Sequence, residues 1–224
     1  MNKLRIVFAV VLSAAFIFTG CAIWNKTQTG AVSGTATTGT AGEIIGRTSG
    51  GNTALGAITR AAVGGASGAV IGRQMDKQAE EIKKSLPDAK VERVGEGVVV
   101  EFSSNLLFAF DKSNLSDDAK TNLGKLVVVL NSYPDTDIEI QGHTDNKGSE
   151  TYNQILSEQR ARIVSAYLTN NGIYFKRLTI KGFGEKIPKY SNDSNEGQIQ
   201  NRRVELMITA NEKMKADARQ NAVD

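Results

Sequence analysis

The chain has 224 residues, 40% hydrophobic and 23% charged, which is enough for one ordinary domain with a real core plus accessory segments. A net charge of +3 with no Lys/Arg run interleaved with aromatics gives no groove for nucleic acid, so no nucleic-acid partner is expected. One cysteine excludes an internal disulfide, and with one histidine there is no Cys/His cluster to hold a metal. The 22 glycines are concentrated upstream, so the two halves of the chain are unlike.

Lys3 and Arg5 make a basic start, residues 6–18 a short apolar run, and Thr19-Gly20 a small-residue site before Cys21. That is the layout of a secretory signal over residues 1–20, and its apolar run is shorter than the roughly 20 residues of a spanning helix, which weakens an uncleaved transmembrane anchor. Phe18-Thr19-Gly20-Cys21 resembles a bacterial lipobox. The resemblance implies a covalent lipid on Cys21 and no other cofactor. Ala22, in place of an acidic residue, implies passage to the outer membrane, with the lipid-anchored chain facing the periplasm.

Residues 31–41 contain only Ala, Gly, Ser and Thr with one valine, too little apolar bulk to offset ordering, so residues 21–41 read as a flexible tether. Within residues 42–73, Gly42, Gly46 and Gly50 recur every fourth position, and Gly64, Gly68 and Gly72 do so again. On a helix each set shares one face and lets a second helix approach, in which case self-association or lipid contact follows. The segment is similar to the glycine zippers of envelope lipoproteins. A floppy Gly/Ala linker is the alternative, because each glycine costs a helix about 1 kcal/mol relative to alanine. Residues 74–94 read as an amphipathic spacer, with Met75, Ala79 and Ile82 at helical spacing and Pro87 as the stop.

Residues 98–110 are rich in β-branched and aromatic side chains and read as strand, broken at Ser103-Ser104-Asn105. A helix over residues 116–132 starts at the N-cap Ser116, followed by Asp117 and Asp118, and is closed by Pro134. A strand over 138–142, a helix over 151–170 ended by Asn171-Gly172, and strands over 178–182 and 204–209 follow. Strands alternating with helices need crossover connections, so the fold class is α/β (α+β), a βαβαβ-type sheet with helices packed on it. Residues 211–224 are polar and read as a frayed helix or tail.

Residues 144–164 read "TDNKGSETYNQILSEQRARIV", residues 108–116 "FAFDKSNLS", and "GFGEKIP" and "NRRVEL" follow at 182 and 201. These motifs, in this order, resemble the OmpA-like peptidoglycan-binding domain over residues 95–210. Gln198 departs from the arginine common at that position.

The residues point to one place independently of the resemblance. Leu156, Arg160, Ile163, Val164 and Tyr167 fall on one helical stripe, which turns Arg160 toward the sheet, where a guanidinium needs an anion. Asp145 lies between the preceding strand and this helix, able to face the same pocket. A carboxylate opposed to a guanidinium suits a ligand carrying both ammonium and carboxylate; a fold-holding salt bridge between Asp145 and Arg160 is the alternative. The resemblance implies that Asp145 takes the ammonium and Arg160 the carboxylate of a diaminopimelate stem peptide of peptidoglycan, assisted by Asn153. Thr144, Phe110 and Asp111 are placed at the adjoining strand ends, in contact or in turns.

No catalytic residue is expected. Ser157 has no glycine-flanked elbow, and His143 has no metal-ligand partner at useful spacing. The competing function is an assembly or oligomerisation factor acting through the glycine segment, with wall binding only positioning it.

Overall fold

The computed structural model describes residues 66–108 and 114–222. Cys21, the tether, the glycine series up to Gly64, and Phe110 and Asp111 lie outside them.

Helix α1, Ala66–Ser85, places Ile71, Met75, Ala79 and Ile82 on one stripe, all in the core, with Leu86 completing it beyond the helix end. Strand β1, Lys90–Val94, turns back on β2, Gly97–Ser103, through Gly95, whose φ of 53° suits a residue without a side chain. A short helix α2, Ser104–Leu107, follows, then α3, Asp117–Ser132, β3, Thr136–Gly142, and α4, Glu150–Asn170. Strand β4, Leu178–Gly182, the short helix α5, Asn195–Asn201, strand β5, Arg203–Ala210, and helix α6, Glu212–Gln220, complete the described chain.

The caps follow from the sequence: Ser116 Oγ accepts the N–H of Ala119 at 3.0 Å, and Ser149 Oγ that of Tyr152 at 3.2 Å. Gly172, at φ 97°, ends α4.

The five strands lie in the order β1-β2-β5-β3-β4, antiparallel except for the parallel pair β3 and β4 that α4 connects. Val98 and Ile138 flank Ile208, and Val100 and Ile140 flank Leu206, so one face of the sheet is apolar and meets the helices. Leu123, Leu126 and Leu130 of α3 and Ala161, Val164 and Leu168 of α4 close that core. On the other face Glu101, Glu205 and Gln141 lie abreast in register. There Arg203 bonds Glu205 at 2.7 Å with both side chains fully buried, and Lys189 bonds Glu101.

Three boundaries differ from the sequence reading. The expected spacer and the end of the glycine segment form α1, a core element, because its apolar stripe is longer than Met75, Ala79 and Ile82 alone. The domain therefore begins upstream of residue 95, and β1 was not foreseen, since "KVERV" has only valines at its two apolar positions. The expected strand continuing past residue 105 is helix α2, with Phe108 making only an isolated bridge to Leu115. The stretch read as a frayed helix or tail forms α6, which buries Met214 and Ala218 and packs on α1.

Strands β2, β3 and β4 end, and β5 begins, at the same edge of the sheet: Ser103 is opposite Arg203, and Gly142 lies between Val204 and Gly182. The β1–β2 turn and the end of β5 lie at the opposite edge. Arg93, beside that turn, bonds Asp76 and the Gly72 carbonyl, so α1 begins at this far edge and runs toward the first.

Candidate functional site

A cavity of about 280 Å³ opens at the edge where the four strand ends meet. It is lined by Ser104, Phe108, Thr144, Asp145, Asn153, Arg160 and Arg202, among others. Its size is near the low end of small-molecule sites, which are roughly 300–1,000 Å³, so it admits one end group of a ligand.

Each wall has a local cause. Thr144 leaves β3 with its N–H on the Gly184 carbonyl at 2.9 Å, and His143 before it donates its N–H to the Arg203 carbonyl at 3.0 Å. These bonds fix where Asp145 emerges. Its Oδ1 accepts the N–H of Lys147 at 3.1 Å, a local turn of the kind aspartate favours, and its Oδ2 accepts Nη1 of Arg202 at 2.5 Å. Asn153, in the first turns of α4, donates to the Asp145 carbonyl at 3.3 Å and to Glu185 at 2.5 Å, tying the loops after β3 and β4 to the helix.

Arg160 is 5% exposed, and its guanidinium carbon lies 5.4 Å from the centre of the Phe108 ring, which forms an apolar floor under the charge. Thr144, Asp145, Asn153 and Arg160 are thus brought together, while Phe110 and Asp111 fall outside the described residues.

Two features escaped the sequence reading. Asp145 is not an open carboxylate opposed to one arginine; its oxygens are occupied by Arg202 and the Lys147 N–H. Arg202 belongs to "NRRVEL", and its place immediately before a strand is the local signal for it. Phe108 opens "FAFDKSNLS", but its position under a charge depends on long-range packing.

Ser157 and His143 occupy structural positions. Ser157 Oγ donates to the Gln154 carbonyl at 2.8 Å and accepts the Gly184 N–H at 2.9 Å. His143 is fully buried and stacked on Phe183 with ring centroids 5.3 Å apart. Burial, then the nearby Arg203 and Lys189 charges, holds it well below the ordinary histidine value. No group of three or more acidic, His or Cys side chains suited to a metal occurs among the described residues.

The OmpA family profile matches residues 107–202, and the profile described as YMGG-like Gly-zipper matches residues 1–76. Outer-membrane lipoprotein YfiB of Pseudomonas aeruginosa is 34% identical over 115 residues, covering 51% of this chain and 68% of that protein. A Gloeobacter violaceus protein named photosystem I P700 chlorophyll a apoprotein A2 is 42% identical over 136 residues, which cover 58% of this chain but 16% of that protein. The structure of the cell wall anchor of the T6SS from Pseudomonas aeruginosa superposes with a TM-score of 0.53 at 26% identity, covering 61% of this chain and 96% of that one. The chain spans about a third or less of the length of the first curated relatives it matches. With the OmpA profile matched over residues 107–202 and a lipoprotein relative 34% identical and covered over 68% of its length, the chain belongs to the OmpA family.

Proposed function

We propose that this protein is an outer-membrane lipoprotein, held by lipid on Cys21, that binds peptidoglycan in the periplasm without catalysing a reaction. The observation that carries the reading is the cavity at the shared strand edge, where Asp145 and Arg160 line one small space. A carboxylate and a guanidinium in a space of that size match the ammonium and carboxylate of one free amino-acid centre, as at the far end of diaminopimelate in a stem peptide. The likeness to a cell wall anchor and to an outer-membrane lipoprotein supports it.

Each charge-assisted hydrogen bond nets roughly 1.5–3 kcal/mol, so two or three give micromolar-to-millimolar affinity at a single site. A tethered protein facing a wall dense in repeated stems is still retained through local concentration.

Pull-down by purified sacculi tests the reading. Wild type is retained, and Arg160→Ala is lost while its circular dichroism is unchanged; equal retention of both proteins would refute the site.

A second reading, assembly through the glycine segment, is favoured by the Gly-zipper match. Deleting residues 42–64, which spares the core residue Ile71 of α1, separates the two: unchanged wall retention with loss of oligomers assigns the segment to assembly.

A further inference from the structure

In the structure the carboxylate of Asp145 already has a cation. Arg202 Nη1 sits 2.5 Å from Oδ2, and the Asp145 side chain is 7% exposed, so little of it is open to an incoming ammonium. The other carboxylate oxygen is engaged by the Lys147 N–H at 3.1 Å.

The Arg202 backbone is held by neighbouring elements, whereas its guanidinium is held, among the described residues, by a single ion pair. Its N–H reaches the Gln198 carbonyl at 3.1 Å and its carbonyl accepts the Ser104 N–H at 2.7 Å, which ties α5, β5 and α2 together. Among the described residues the guanidinium makes one hydrogen bond, that to Asp145, and its side chain is 26% exposed. At the rim of the cavity the Arg202 guanidinium can rotate into water, and the cost of doing so is the unpaired Asp145 carboxylate, which an incoming ammonium would offset.

The charges lining the cavity make this rotation consequential. Among the described residues that line the cavity, Lys147, Arg160 and Arg202 are cationic and Asp145 is the carboxylate. A ligand ammonium entering with Arg202 in place meets its charge and finds both Asp145 oxygens engaged.

We infer that Arg202 is a built-in occupant of the cation seat, a latch that the ligand's ammonium must displace from Asp145. The inference rests on the peptidoglycan reading above and adds a residue that sets its affinity and selectivity. A site whose competent form is populated only in part binds more weakly by that fraction, so a latch closed about nine-tenths of the time weakens apparent affinity about tenfold. It also acts as a filter, since a ligand without a cation gains nothing from the seat and cannot replace the guanidinium.

The test is titration of the mature full-length chain with a soluble diaminopimelate-containing stem peptide and with the same peptide acetylated on its free amine. Arg202→Gln keeps a polar side chain, shorter and without the charge, and Arg202→Lys keeps the charge. Thermal melting establishes that both fold. Arg202→Gln binds the free-amine peptide roughly tenfold tighter than wild type, Arg202→Lys stays near wild type, and the acetylated peptide shows no gain. The gain vanishes in Arg202→Gln combined with Asp145→Asn.

Weaker or equal binding by Arg202→Gln, with wild type still binding, overturns the latch and leaves the wall-binding reading standing. An equal gain for the acetylated peptide overturns it too, because the effect would then be steric. No binding by wild type or any variant removes the wall-binding reading and the latch with it.

Discussion

Gly142 runs so close beneath α4 that a methyl group on its Cα would lie 2.0 Å from the carbonyl oxygen of Ser157. Backbone cannot yield as a side chain can, so this approach fixes the height of α4 over β3 and hence the distance from Asp145 to Arg160. Gly142→Ala should destabilise the domain by roughly 1–3 kcal/mol or more, and wall retention should fall with it even where the fold survives. Urea denaturation with a parallel sacculus pull-down measures both; unchanged values would mean that helix and strand are not in fixed register.

The Arg203–Glu205 pair has no solvent on either side chain. Removing one partner leaves a buried charge, so Glu205→Ala should cost about 3–5 kcal/mol, whereas replacing both residues by well-packed apolar ones should cost much less. Chemical denaturation of both variants checks the ordering.

The placement of α1 predicts a boundary. A fragment starting at residue 95 lacks β1 and loses Ile71, Met75 and Ile82 from the core, and should fail to give a cooperative melt. One starting at residue 66 should melt cooperatively.

His143 makes stability depend on pH. Its folded-state value is depressed below the ordinary 6.5, so as pH falls through 6.5 the unfolded chain takes up a proton first. Stability present above pH 6.5 is therefore lost on acidification, by about 1.4 kcal/mol per unit from this residue. Comparing wild type with His143→Leu between pH 7 and pH 5 isolates the contribution; identical slopes would place the imidazole in solvent.

Much of this was legible in the sequence because the signals were local. Ser116 followed by two aspartates, Asn171-Gly172, and the stripe through Arg160 and Val164 each act within a turn or two of helix. The strand over 178–182 appears where it was expected. What escaped depended on distant partners. α1 is core because its stripe meets α3, α6 and the first two strands. α6 is ordered by α1, nearly the whole domain away in sequence. Arg202 reaches Asp145 across 57 positions, and no local pattern announces such a pair.

The helix that opens the domain starts at the sheet edge opposite the cavity, with Arg93 pinning it beside Gly72 and Asp76. Held through its leading segment and gripped at Asp145, as proposed above, the molecule would be stretched lengthwise along its strands. In that direction the inter-strand bonds share the pull in shear, whereas a perpendicular pull would peel them one by one. On that proposal the domain would act as a tensile link, and its resistance to rupture should depend on the direction of force more than on its melting temperature.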